Sequence, residues 1–260
     1  MNDDRRHQHG NGSSRLTVVA IAVLLVTGLG VWSGLMLGGL RELRTVSAFR
    51  ADPLDLPRLT EILNASDSPL ILLGDSRVSQ WNPLPGFDSQ EFVRLGSSGM
   101  TAVQMDLVAR LLANKVSGST VVVQVGINDL KSIGYMDRSS DEIIAETQRA
   151  LAGLHDTLTR NGAQVFITTI VPPGPVSLAR RFVWSEEVRD AVFEVNEALT
   201  AGDLMPEHAV IDFGAELGSA READSEYVTD TLHLNPSGYE RLNAILIRHL
   251  SSRDLKIDAF

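Results

Sequence analysis

Four short stretches of the sequence carry groups that could together perform acyl transfer. In Gly74-Asp75-Ser76-Arg77 a hydroxyl follows a glycine that lets the chain turn sharply. The glycines of Leu95-Gly96-Ser97-Ser98-Gly99-Met100-Thr101 would let a backbone N–H point outward. Gly126-Ile127-Asn128-Asp129 sets an amide donor beside a carboxylate. In Asp230-Thr231-Leu232-His233 a carboxylate precedes an imidazole by three residues, close enough to hold one ring nitrogen protonated while the other accepts a proton. Each stretch alone has a plainer explanation: a helix cap at Ser76, tight turns at the glycines and at Asn128-Asp129, a surface or core histidine at position 233. In conjunction they supply a complete set. Ser76 would attack an ester carbonyl, His233 would take its proton and Asp230 would orient His233. The N–H groups of Ser76 and Gly99, with the Asn128 amide, would hold the oxyanion.

The other histidines lack such a setting. His7 and His9 lie in a polar tail, His155 and His249 in helical patterns, and His208 before a strand. Metal-dependent phosphoester hydrolysis would have to draw on Asp75, Asp129 and His233, and no other strand end offers a histidine. The formal charge of −10 repels phosphate backbones, so nucleic acid is not an expected partner. With no cysteine, the chain has neither disulfides nor a thiolate nucleophile.

Positioning the four stretches requires a sheet that ends where they begin. Leu70–Leu73, Phe92–Leu95, Val121–Val125, Val165–Ile170 and Ala209–Phe213 are short apolar runs closed by glycine, proline or aspartate, as buried strands are. Between them apolar residues recur at helical spacing: Val103, Leu107 and Leu111, then Ile144, Leu151, Leu154 and Leu158, then Val188, Val192, Val195 and Leu199. Thr101 with Gln104 and Ser139 with Glu142 fit capping boxes, and Pro236 suits the first turn of a last helix. The alternation predicts an α/β domain with a parallel sheet covered on both faces, whose ligands bind beyond the carboxyl ends of the strands.

Ahead of this lies a different kind of segment. Leu16–Leu40 is 25 residues without a charge, about 37 Å as a helix, enough for a hydrocarbon core of roughly 30 Å. It reads as a signal anchor rather than a cleaved signal, because Arg41, Glu42 and Arg44 separate it from the small residues Val46-Ser47-Ala48. The expected division is a polar, unstructured tail over 1–15, a transmembrane helix over 16–40, a stem over 41–68 and a catalytic domain over 69–260. Arg5, Arg6 and Arg15 face Arg41, Arg44 and Arg50 in equal number, so orientation rests on the signal-like layout, which places the domain outside the cytoplasm, periplasmic or on the outer face. Gly30, Gly34 and Gly38 fall on one helix face, where two copies could pair as a homodimer.

The four stretches resemble the sequence blocks of the SGNH, or GDSL-type, hydrolase family, which carry Ser, Gly, Asn and His in this order. The resemblance runs from about Pro69 to Leu250. It implies a three-layer flavodoxin-like fold with a five-stranded parallel sheet and neither metal nor cofactor. By position it implies Ser76 as nucleophile, Asp230 and His233 as the rest of a triad, and Gly99 and Asn128 as oxyanion donors. Gly99 is preferred to Gly96 because Gly-x-Thr follows it as in family members. Arg77 and Arg94 depart from the residues frequent there, which bears on substrate more than on mechanism.

Arg77, and Arg180 with Trp184 in the segment from Pro172 to Trp184, suggest a polar, sugar-like or anionic acyl substrate, unless they are ordinary surface charge and a packed indole. The expected function is a serine esterase acting on an acyl, foremost an O-acetyl, ester of an envelope or exported polysaccharide. An O-acyltransferase, a lysophospholipase or thioesterase, and a non-catalytic binding module are the alternatives.

Overall fold

The computed structural model describes residues 11–48, 61, 70–82, 92–181 and 184–251. Residues 1–10 of the expected tail and all of the expected stem beyond Ala48 except Glu61 lie outside the described residues. Helix α1, Asn11–Ala48, contains the uncharged run and continues past both its ends. Residues 11–15, expected in the tail, and 41–48, expected in the stem, are helical. Once a helix is nucleated each further residue adds a hydrogen bond, and no proline interrupts the chain before Pro53. With mean hydropathy 2.3 over Leu16–Leu40, α1 is long and apolar enough to cross a membrane, and a signal sequence would meet the same test.

The second unit of the chain holds the sheet. Its strands are β1 Leu70–Gly74, β2 Phe92–Gly96, β3 Thr120–Gln124, β4 Gln164–Thr168 and β5 Val210–Ile211. All pair in parallel, in the order β2-β1-β3-β4-β5. The longer helices are α3 Ala102–Leu112, α5 Ser140–Arg160, α7 Glu187–Thr200 and α8 Pro236–Ser251. Shorter α-helical turns among the described residues are α2 Ser76–Ser79, α4 Ile127–Leu130 and α6 Leu178–Arg181.

Alternate residues of each strand enter opposite cores, as the two-residue period of a strand requires. Ile71, Leu73, Val121, Val123 and Ile167 pack with residues of α3, α5 and α7 on one face. Leu70, Leu72, Val122 and Phe166 pack on the other face with Trp81, Phe213 and α8. The result is a three-layer α/β fold. Both capping boxes form, at Thr101 and at Ser139, and fix the starts of α3 and α5.

The stripe expected to bury α3 is corrected. Leu107 and Leu111 are 60% and 64% exposed, while Ala102, Met105, Ala109 and Leu112 face the core. Two alanines on the inner face let α3 come close to α5, against which it packs; the leucine stripe is too bulky for that approach. In α5 and α7 the expected faces are the buried ones.

The order of strands determines where a ligand fits. From β1 the chain moves to β2 on one side and then to β3 on the other, and the carboxyl ends of β1 and β3 meet at Gly74 and Gln124. A crevice opens at such a reversal. Ser76 leaves from one strand end and Asn128 from the other.

Candidate active site

The turn that carries Ser76 is built from the sheet outward. Asp75 caps α2, its Oδ1 accepting from the Arg77 N–H at 2.9 Å. This holds Ser76 at the first position of the turn. Gly96 permits the arrangement from below: a Cβ there would lie 2.1 Å from the Ser79 nitrogen, so only glycine lets α2 sit against β2. Gly99, at φ 80°, makes the left-handed turn above it. The two glycines of this loop therefore do different work, one in packing and one in turning the backbone toward the crevice.

Across 157 positions of sequence, Ser76 Oγ lies 3.2 Å from His233 Nε2. His233 Nδ1 lies 2.9 Å from Asp230 Oδ2. A carboxylate oxygen can only accept here, so Nδ1 carries the proton and Nε2 is left to accept from the hydroxyl. Asp230 Oδ1 accepts from the Leu232 N–H at 2.7 Å and the His233 N–H at 3.1 Å, which ties the carboxylate to the loop that bears the imidazole. Burial pushes the Asp230 carboxyl up, but bonds from the His233 ring and the two N–H groups outweigh it and hold the carboxyl below its usual range.

In the turn after β3, the buried Asn128 donates through Nδ2 to the Met100 carbonyl at 2.9 Å. That bond uses one of its two N–H groups. Neither the Ser76 nor the Gly99 N–H donates to a backbone carbonyl among the described residues. Asp129 ties this turn to the glycine loop: Oδ2 accepts from the Ala102 N–H at 2.7 Å and Oδ1 from the Val103 N–H at 3.5 Å, at the start of α3. A hydroxyl hydrogen-bonded to a carboxylate-oriented imidazole, with N–H donors opposite, has the parts for acyl transfer through a covalent intermediate.

A family model, GDSL-like lipase/acylhydrolase, matches residues 73–241. The chain belongs to this family. It is therefore a carboxylic-ester hydrolase of the GDSL, or SGNH, type. No curated protein matches its sequence. Among solved structures it is similar to a GDSL-like lipase from Bacteroides thetaiotaomicron, at 18% identity over 76% of this chain and 98% of that one, with a TM-score of 0.58. A carbohydrate acetylesterase from Sinorhizobium meliloti is 14% identical over 72% and 99%, with a TM-score of 0.51. An aryl esterase from M. smegmatis is 16% identical over 71% and 99%, with a TM-score of 0.50. At such identities these likenesses show the fold.

In this acylhydrolase Arg77 has a task other than the substrate contact expected of it. It is 2% exposed, and its guanidinium donates from Nε to the Leu232 carbonyl and from Nη1 to the Val171 carbonyl, each at 2.8 Å. Leu232 immediately precedes His233. The residue after the candidate nucleophile thus grips the loop that carries the imidazole. Burial lowers the Arg77 pKa and Asp75 raises it; Asp75 is in turn pushed up by burial, which Arg77 opposes. The Tyr239 hydroxyl donates to the Arg77 carbonyl at 2.9 Å, and burial lifts its pKa to about 12, so it stays a donor. Trp81, packed against Tyr239 and Phe213, donates to Asn243 Oδ1 at 2.6 Å and fastens the end of this turn to α8.

Arg180 and Trp184 are not brought into hydrogen-bonding contact with Ser76 or His233. Trp184 packs at the margin of the core, and Arg180 lies in α6 near enough to Lys131 for its charge to be felt there. A cavity of about 170 Å³ adjoins Asn128, lined in part by Thr101, Val103, Gln104, Ile143 and Glu146. No group of three or more His, Asp or Glu side chains suited to a metal ion occurs among the described residues. The residue that the sequence reading passed over is Lys131, whose Nζ donates to Asn128 Oδ1 at 2.6 Å. Its spacing of three from Asn128 was the available signal, since side chains three apart share a helix face.

Proposed function

We propose that Ser76, His233 and Asp230 form the triad of a serine esterase, with the oxyanion held by the N–H groups of Ser76 and Gly99 and the Asn128 amide. The observation that carries this reading is the continuous relay from Ser76 Oγ through His233 to Asp230, at 3.2 and 2.9 Å. Ser76 attacks the ester carbonyl as His233 Nε2 takes its proton. His233 then gives that proton to the ester oxygen as the C–O bond of the tetrahedral intermediate breaks, so the alcohol departs and the acyl group stays on Ser76 Oγ. Water, deprotonated by the same imidazole, releases the acid and restores Ser76. Asp230 keeps its negative charge throughout and stabilises the imidazolium.

The substrate we propose is a short acyl group, foremost acetyl, on a sugar of an envelope or exported polysaccharide. The carbohydrate acetylesterase of the same fold supports this choice. Arg180 and Trp184 are candidates for the alcohol side of the substrate. Acetate release from acetylated glycan, absent in Ser76→Ala, is the expected result. Release of fatty acid from lysophospholipid with none from glycan would reject the glycan.

The domain division proposed is an anchor over 16–40 and a catalytic domain over 69–260, joined by a stem over 41–68. The amino-terminal tail lies in the cytoplasm and the hydrolase outside it. A reporter fused after Phe260 that is active only in the cytoplasm would reverse this orientation. Gly30, Gly34 and Gly38, at four-residue spacing, are the face through which two anchors would pair. Loss of a crosslinked dimer in Gly34→Leu is the expected result.

A further inference from the structure

We infer that Lys131 is a positioning residue of the oxyanion site, holding the Asn128 amide in the one orientation that presents a free N–H to the crevice. The inference rests on the Ser76 esterase reading and extends it to a residue outside the triad and its donors. An asparagine amide has a donor end and an acceptor end, nearly equal in shape. At Asn128 the donor end meets the Met100 carbonyl at 2.9 Å and the acceptor end meets Lys131 Nζ at 2.6 Å. Turning the amide over would set Oδ1 against the Met100 oxygen and Nδ2 against the ammonium. Two attractive contacts would become two repulsive ones. The Met100 carbonyl alone supplies only half of this bias, and only the lysine's half carries a full charge.

Lys131 also acts through the bonds of the amide. A cation on Oδ1 draws electron density away from Nδ2, so the second N–H becomes a better donor to an oxygen gaining negative charge. This gain is realised when the tetrahedral oxyanion forms and is small for the neutral ester. It belongs to kcat rather than to KM. Burial is the largest influence on the Lys131 ammonium and lowers its pKa, with Arg180 adding to that shift, while the Asp75 and Asp129 carboxylates oppose it. Its position is fixed by the C-cap of α4, where the Lys131 N–H donates to the Ile127 carbonyl at 2.9 Å.

The test is steady-state hydrolysis of a chromogenic aryl acetate by the full chain in detergent, for wild type, Lys131→Met, Lys131→Arg, Asn128→Ala and the double variant Lys131→Met/Asn128→Ala. Lys131→Met is expected to lower kcat about tenfold, the effect of one charge-assisted hydrogen bond made in the transition state, with KM changed less than about twofold. Lys131→Arg should restore most of the loss. In the Asn128→Ala background Lys131→Met should change kcat by less than about twofold, because the group it acts through is gone. An equal loss in both backgrounds, a change confined to KM, or an unaltered kcat in Lys131→Met overturns the inference. Full activity of Asn128→Ala instead removes the oxyanion reading, and this inference with it. Thermal melting of each variant separates misfolding from these effects. Should Lys131→Met not fold, Lys131→Gln, which keeps a neutral donor to Oδ1 without the charge, carries the same cycle.

Discussion

At the scale of single residues, the candidate site is held together by buried side chains bonded to backbone. Arg77 ties the turn that carries Ser76 to the loop that carries His233 with two 2.8 Å bonds to backbone carbonyls. Arg77→Met would keep much of the volume but leave the Val171 and Leu232 oxygens without their donor. Each orphaned carbonyl costs about 1–3 kcal/mol, so a clear fall in the urea midpoint is expected, together with a loss of kcat as His233 drifts from Ser76. Unchanged kcat in a folded Arg77→Met would show that the loop holds itself. Asp129 makes a prediction with pH. Burial raises its carboxyl to about 7, against the bonds from Ala102 and Val103, while the unfolded value is near 3.8. The folded state therefore binds more protons between these values. The stabilisation is complete below about 3.8 and is lost as pH rises to about 7. Unfolding followed across pH 4 to 8 should show a decline in stability over that interval that Asp129→Asn reduces.

At the scale of elements, α3 gives the sharpest contrast between pattern and packing. Its exposed leucines should tolerate change: Leu107→Ser and Leu111→Ser are each expected within about 0.5 kcal/mol of wild type. Ala109→Leu should cost about 1–3 kcal/mol, because it forces α3 away from α5. The opposite ranking in thermal unfolding would return the leucine stripe to the core. This is also where the sequence was least legible. The leucines and the alanine-methionine face are both helical in period, and hydrophobicity alone favours the leucines; what decides is how closely two helices must approach. Strands were easier, because β-branched runs closed by glycine or aspartate have few other uses. Ser76 and Asn128 were legible as candidates because each follows shortly after a strand, and Asp230 with His233 because a carboxylate stands three residues before an imidazole. Arg77 was not, since an arginine beside a nucleophile reads as a substrate contact until its carbonyl partners are known.

At the scale of the whole molecule, an acidic hydrolase of net charge −10 is joined to a helix long and apolar enough for a bilayer. The charge disfavours anionic surfaces, so attachment to a membrane would have to rest on the apolar helix. The full chain is expected to stay with the membrane fraction through alkaline carbonate, and release into the supernatant would mean that Leu16–Leu40 is removed or lies outside the bilayer. The catalytic account itself turns on one hydroxyl brought to one imidazole from the far end of the chain. Labelling with a fluorophosphonate probe followed by peptide mapping tests it most directly. A single adduct on Ser76 is expected, lost in Ser76→Ala and strongly slowed in His233→Ala. An adduct on another serine, or equal labelling of Ser76→Ala and wild type, would contradict it.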